Sequence, residues 1–171
     1  MNKEKMTNII ETERLVLFPY TKENLDLFNK NLKMFEKEFQ VIYDGETLDD
    51  DLKNFLIRLV SDIEKDINNY LYFTEFLIVL KKSSIIIGSI DFKYVPVDYT
   101  TEVGYGMSEK YEGLGYMTEA LMAFLEFGRS LGIKKVLAET KIENIKSQNV
   151  LKRCGFSLYN KKDAIWWCIN L

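Results

Sequence analysis

The stretch that decides the fold is Lys110-Tyr111-Glu112-Gly113-Leu114-Gly115-Tyr116-Met117-Thr118. It follows a strand-like run, Thr100–Met107. It opens a segment, 115–131, in which Met117, Leu121, Phe124, Leu125 and Gly128 recur at helical spacing. Two glycines let the backbone come close to a ligand. The first N–H groups of a helix have no partner within it, and the helix dipole favours an anion there. The functional reading is a phosphate-binding turn, and the structural one is a tight strand-to-helix turn. A Walker A loop needs Gly-Lys-Ser/Thr, which Gly115-Tyr116-Met117 does not supply. A Rossmann fingerprint needs a third glycine. Thr118 stands where Gly113-x-Gly115 requires it, and Glu109 where Gly104-x-Gly106 does.

The flanking sequence reads as alternating strands and helices. Residues 8–19 predict a strand. Thr21 predicts a helix N-cap with Asn24 three residues on, opening a helix over 21–39 through Leu25, Phe28, Leu32 and Phe35. A second helix is expected over 47–69. Leu52, Phe55, Leu56, Leu59, Val60, Ile63 and Ile67 form its stripe, and Thr47 and Asp49-Asp50-Asp51 stand at its N-terminus, where the dipole favours acids. Strands over 71–81, 84–95 and Thr100–Met107 predict an antiparallel meander. After the helix over 115–131, with Gly132 as its stop, come a strand over 136–140 and a short helix capped by Asn144 and ending at Gly155. A hairpin of Ser157–Lys161 and 164–170 closes the chain. The order is an α/β (α+β) pattern in one domain, 1–171. A helical crossover makes the strands on either side of the third helix parallel.

Composition narrows the chemistry. The chain has 171 residues, 47% hydrophobic and 29% charged, which suits a folded core. Its net charge of −3 argues against nucleic acid or an anionic membrane as partner and fits an amine-bearing one. Histidine is absent, so Ser-His-Asp triads, Cys-His pairs and HExxH zinc sites are excluded. The two cysteines, Cys154 and Cys168, lack CxxC spacing. A reducing, cytoplasmic setting, no metal and no membrane span are expected.

Several ordered motifs together are similar to the GNAT acetyltransferases, and to their RimJ/RimL-like branch. They are Ile10-Glu11-Thr12-Glu13-Arg14-Leu15-Val16-Leu17, Glu102-Val103-Gly104-Tyr105-Gly106-Met107, Gly113-Leu114-Gly115-Tyr116-Met117-Thr118-Glu119-Ala120, Asn144 through Leu151, and Gly155-Phe156. The resemblance implies a mixed, mostly antiparallel sheet of about seven strands and about four helices. Its central parallel pair would splay at the cofactor.

The resemblance also implies roles. Tyr111, Glu112, Gly113, Leu114, Gly115 and Tyr116 would hold the pyrophosphate of acetyl-coenzyme A through backbone N–H groups, with Gly113 and Gly115 central and Lys110 and Met117 also in the cofactor site. Lys110 stands where the family usually has Gln or Arg. A main-chain N–H at Gly106 or Met107 would polarise the thioester, and Asn144 and Asn149 would lie against the cofactor. Glu102 is the expected base, facing the gap, and Glu119 is structural. Leu151 occupies the position of the family's thiolate-protonating tyrosine, and Ser147 is the expected substitute. Tyr105, Tyr116 and Tyr159 are candidates for the acceptor pocket. The implied activity is direct acetyl transfer from acetyl-coenzyme A to a primary amine in a ternary complex. The acceptor would be a protein N-terminus, such as that of a ribosomal protein, or a small amine. The alternative is a non-catalytic acyl-coenzyme A-binding module. A monomer or a homodimer fits either.

Overall fold

The computed structural model describes residues 1–44 and 50–171, and the side chains of all of these except 50–52. Thr47 and the Asp49–Asp51 side chains at the second predicted helix lie outside the described residues, as does the Leu52 side chain.

The first predicted strand is two. β1 (Ile10–Glu11) and β2 (Leu15–Pro19) pair antiparallel around a turn, in which the Thr12 hydroxyl accepts from the Leu15 N–H at 2.9 Å. All five β2 residues are buried, because β2 lies between β1 and β4 (Phe76–Leu80) with packed layers on both faces. The first predicted helix also divides. Thr21 and Asn24 form a reciprocal capping box on α1 (Lys22–Lys30), but Asn31 leaves helical geometry at φ −153°. Its side chain accepts from the Met34 N–H at 3.0 Å and so caps α2 (Leu32–Phe39). Such a cap stabilises a helix start by about 1 kcal/mol, enough to favour a new helix over continuing the old one.

A two-residue strand, β3 (Ile42–Tyr43), pairs parallel with β5 (Ile85–Phe92), and α3 spans Asp50–Lys65. The α3 stripe is narrower than its sequence suggests. Leu56, Leu59 and Ile63 are buried, whereas Phe55 is exposed and Ile67 falls beyond the helix end, exposed as well. Tyr70–Tyr72 forms a 3-10 turn where the second predicted strand is expected to begin. Its residues fill both cores, Leu71 and Tyr72 one and Tyr70 the other, so β4 starts only at Phe76.

β6 (Thr100–Met107), α4 (Tyr116–Ser130), β7 (Lys135–Thr140), α5 (Ile145–Arg153), β8 (Ser157–Lys161) and β9 (Ile165–Asn170) follow as the pattern predicts. The strand order is β1-β2-β4-β5-β6-β7-β9-β8, with β3 against β5. The described residues thus form nine strands and five α-helices, against about seven and about four expected. The excess comes from the split of 8–19, the break at Asn31 and the short β3. The helices α1–α3 and one sheet face enclose the core of Phe18, Phe28, Phe35, Leu56 and Ile63. The other face packs on α4 and α5 around Phe76, Phe92, Phe124 and Leu151. Phe124 stacks on Phe92 at 4.3 Å between centroids and meets Phe76 edge-on at 5.1 Å, which fixes α4 across the sheet.

Candidate active site

The site begins where a pairing ends. β6 and β7 run parallel, and their register covers Thr100↔Lys135, Thr101↔Val136 and Glu102↔Leu137 and no further. β6 continues to Met107 and β7 to Thr140, so the two strands part and leave a gap. The antiparallel bonds to β5 show which β6 groups face it. Lys93 N–H donates to the Glu102 carbonyl and Ser108 N–H to the Ile87 carbonyl. Alternation then sends the backbone groups of residues 102, 104 and 106 toward β5, and those of Tyr105 and Met107 into the gap. Of the two residues expected to present an N–H, Met107 has the correct direction and Gly106 the wrong one.

Below the gap the chain makes a 3-10 turn, Glu109–Tyr111, and reaches Gly113 and Gly115 at φ 73° and 81°. A side chain at either would sit in the left-handed region, at about 1–2 kcal/mol. A Cβ on Gly113 or Gly106 would meet nothing within 4 Å, so the backbone there is open to a ligand. Gly115 is the N-cap of α4, and no side chain caps that end. The turn is braced from behind. Glu119 accepts from the Arg14 N–H at 2.9 Å, from Arg14 Nε at 2.6 Å and from the Thr12 hydroxyl at 2.5 Å. Arg14 also donates to the Leu114 carbonyl at 3.1 Å and lies 4.5 Å over the Tyr116 ring. Burial raises the Glu119 pKa, but the Thr12 and Arg14 hydrogen bonds outweigh it and hold the carboxyl below its ordinary value. The expected structural role of Glu119 is thereby given partners.

Gap and turn open into one cleft of about 660 Å3 between β6, α4 and α5. Gly106, Met107, Tyr111, Glu112, Gly113, Gly115, Tyr116, Met117, Asn144, Ser147 and Asn149 all line it, as the sequence reading expects. Asn144 caps α5 by accepting from the Ser147 N–H at 3.0 Å, which fixes the helix start beside the gap. Three expected residues are elsewhere. Lys110 turns away and pairs with Asp44 in a second cleft. Leu114 is exposed outside the cleft. Glu102, only 8% exposed, lines neither cleft and is bound to Lys93 Nζ at 2.5 Å. It was expected to face the gap, but its strand is still paired with β7 at that very residue.

Other residues also enter the site. Tyr105, expected in the acceptor pocket, lies in this cleft, and its hydroxyl is 2.8 Å from the Ser147 hydroxyl. Burial pushes the Tyr105 phenol up to about 12, the Ser147 bond opposing and Cys154 adding to the shift. Tyr116 also lines this cleft, whereas Tyr159 is exposed beside Lys135 and lines neither. Leu151 is 0% exposed inside the core, so its helical position does not face the cleft. Cations come from α5: Lys146 pairs with Glu112 at 2.5 Å across the cleft mouth, and Arg153 lies two turns further on. Their i, i+7 spacing on a helix next to a glycine turn was the available signal. Cys154 is pushed up to about 11 by burial and is no nucleophile.

A parted parallel pair over an uncapped helix N-terminus, with an open glycine backbone between, defines a fold built to hold an extended phosphate-bearing ligand. Residues 14–157 match the Acetyltransferase (GNAT) domain, and the chain belongs to that family. It is 30% identical over 100 residues to an uncharacterized N-acetyltransferase, YnaD, of Bacillus subtilis (strain 168), covering 54% of this chain and 59% of that protein. It is 29% identical over 84 residues to the ribosomal-protein-serine acetyltransferase of Escherichia coli (strain K12), covering 48% and 47%. The matches thus span about half the length of these curated relatives. A solved structure of RimL, the ribosomal L7/L12 alpha-N-protein acetyltransferase, in complex with coenzyme A, superposes with a TM-score of 0.67 at 17% identity, covering 96% of this chain and 98% of that one. At that identity the likeness is one of fold. No helix of the described residues is long and apolar enough to cross a membrane.

Proposed function

We propose that the chain is a single-domain N-acetyltransferase that moves an acetyl group from acetyl-coenzyme A directly to a primary amine. The observation that carries this reading is the end of β6–β7 pairing at Glu102 and Leu137, above the open backbone at Gly113. The free N–H groups at the α4 N-terminus would take the pyrophosphate, with Arg153 on the facing helix adding positive charge. The extended arm would run between β6 and β7. The Met107 N–H faces that gap and would polarise the thioester carbonyl, strengthening as charge develops on its oxygen. Ser147, hydrogen-bonded to Tyr105, would supply the proton to the leaving sulfur. A thiolate with a pKa near 8.5 needs little help to leave, so a weak donor suffices. A direct transfer fits a chain with no histidine and with buried Cys154 inert. Both cysteines are free, which suits a cytoplasmic protein.

Thermal unfolding with acetyl-coenzyme A tests the reading. At about one hundred times Kd the linkage gain is roughly 2.7 kcal/mol, or roughly 5–10 °C for a chain of this size. No rise at any concentration in a folded sample overturns it.

A further inference from the structure

A second cleft, of about 970 Å3, lies on the α1–α3 side of the sheet and shares Gly106, Met107 and Glu109 with the first. Its walls are apolar and aromatic, with Tyr20, Phe28, Tyr43, Leu56 and Leu77 among them. Among the described residues, its charged lining groups are Asp44, Glu75, Glu109 and Lys110. Lys110 and Asp44 pair with each other, and the Tyr111 hydroxyl also donates to Asp44 at 3.3 Å. The uncompensated charge is therefore negative. Glu109 stands exposed, and Glu75 lies within.

The strand register places Glu75 on the same sheet face as Gly106, and both line this cleft. Leu77, Ser89 and Gly106 stand side by side on β4, β5 and β6. Glu75 is two residues before Leu77, so its side chain emerges on the same face. The Ser89 hydroxyl donates to Glu75 Oε1 at 3.3 Å and links the two rows. The row ends on Gly106, where there is open space and no side chain. A nitrogen seated over Gly106 thus has Ser89 and Glu75 on one side and the Met107 backbone at the gap on the other. Asp91 and Glu102 share this face but line neither cleft.

We infer that the second cleft takes a primary ammonium on an apolar or aromatic body, and that Glu75 is the carboxylate that docks this ammonium and takes its proton. The inference rests on the reading of the first cleft as the acyl-donor site. In the step, Glu75 accepts one proton from the ammonium and becomes neutral. The freed nitrogen pair forms the C–N bond at the thioester carbonyl. The C–S bond breaks with its electron pair on sulfur, and sulfur takes the second nitrogen proton through the Ser147 hydroxyl. Glu75 returns its proton to solvent, so the products are an amide, a thiol and one released proton. Burial raises the Glu75 pKa and the Ser89 bond opposes it, which suits a base working near neutrality. The groups around it are Ser89 and Asp91 on β5, Tyr20 after β2, Tyr43 on β3, and Glu102 with Lys93. The helices α1 and α3 present Phe28 and Leu56.

The test compares 2-phenylethylamine with phenylalanine, the same amine and ring with an added carboxylate, using the full chain and acetyl-coenzyme A. The wild type is expected to acetylate 2-phenylethylamine at least about tenfold more efficiently. Glu75→Gln is expected to lose at least about 100-fold in kcat/KM for it, while the thermal shift with acetyl-coenzyme A stays intact. The acid limb of kcat/KM should lie above the ordinary carboxylate range, persist in Asp91→Asn and vanish in Glu75→Gln. Should Glu75→Gln not fold, Glu75→Asp keeps the charge at shorter reach, and is expected to keep the limb and lose at least about tenfold. A change within threefold in either variant overturns the inference. So does a preference for phenylalanine, or no acetylation of 2-phenylethylamine by a protein that shows the shift. A wild type with no shift overturns the donor-site reading instead.

Discussion

The Tyr105 hydroxyl lies 2.8 Å from the Ser147 hydroxyl, joining β6 to α5 over the gap. The phenol sits on the sheet, so a tyrosine reaches the site although the α5 position expected to carry one is the core residue Leu151. With its pKa near 12, Tyr105 stays protonated through the neutral range and can orient or recharge Ser147 without ionising. Ser147→Ala is expected to lower kcat about 10- to 100-fold with little change in the acetyl-coenzyme A thermal shift. Tyr105→Phe should cost less, and the double variant less than the product of the two, because the hydroxyls act as one unit. Steady-state release of coenzyme A thiol measures all three.

Gly113 and Gly115 test the turn itself. Gly113 has φ 73° with open space around its Cβ position, so Gly113→Ala carries conformational strain without a clash. Its expected stability cost is about 1 kcal/mol by urea unfolding. Gly113→Val adds a branched side chain over the backbone N–H groups and is expected to abolish most of the ligand-induced rise in Tm. A Val variant that keeps the full rise would place the ligand elsewhere.

What the sequence made legible is what local periodicity controls. All five stripe residues of α4 are buried, and the crossover rule yields the parallel β6–β7 pair. Most of the cofactor-cleft residues follow, because turn, gap and α5 cap are consecutive in that unit. What stayed hidden depends on distant pairing. Glu102 has the sequence context of a gap residue, yet the last β7 partner falls on it, and that endpoint is a property of two strands. Lys110 belongs to the turn by sequence but is drawn to Asp44, 66 residues away. Glu75 sits in a run with no motif at all, and only the β4–β5–β6 register brings it onto the sheet face that carries Ser89 and Gly106. Asn31 reads equally well as a helical residue or as a cap, and capping wins.

Arg14 and Glu119 couple the first strands to the cofactor turn. Glu119 accepts three hydrogen bonds from Thr12 and Arg14, one of them, from Arg14 Nε, between ions. Glu119→Ala is expected to destabilise the fold by about 2 kcal/mol. It should also weaken acetyl-coenzyme A binding, since Arg14 then loses its hold beside the Leu114 carbonyl and Tyr116. The folded carboxyl has a lowered pKa, so its stabilisation is present above the unfolded value of 4.5 and is lost as pH falls through the lower folded value. The wild-type advantage over Glu119→Gln should therefore shrink below about pH 4.5. Chemical denaturation at pH 7 and pH 3.5 reads it.

Asp91 should show the opposite sign. Its carboxyl is pushed from 3.8 to about 7, first by burial and then by the neighbouring Glu75, with Lys93 opposing and Glu102 adding. A Cβ at Gly104 would stand 2.9 Å from Asp91 Oδ1, so the glycine leaves room for the carboxyl. Between about pH 4 and pH 7 the folded chain keeps a proton that the unfolded chain releases, and stability falls as pH rises. Above pH 7 both states are ionised and the penalty is constant, on the order of 4 kcal/mol before solvent access reduces it. Asp91→Asn removes the titration and keeps the shape. Its stability gain over wild type is expected to be about 2 kcal/mol larger at pH 8 than at pH 5. An equal effect at the two pH values would mean that Asp91 is ionised in the folded chain throughout, with Lys93 shared between it and Glu102.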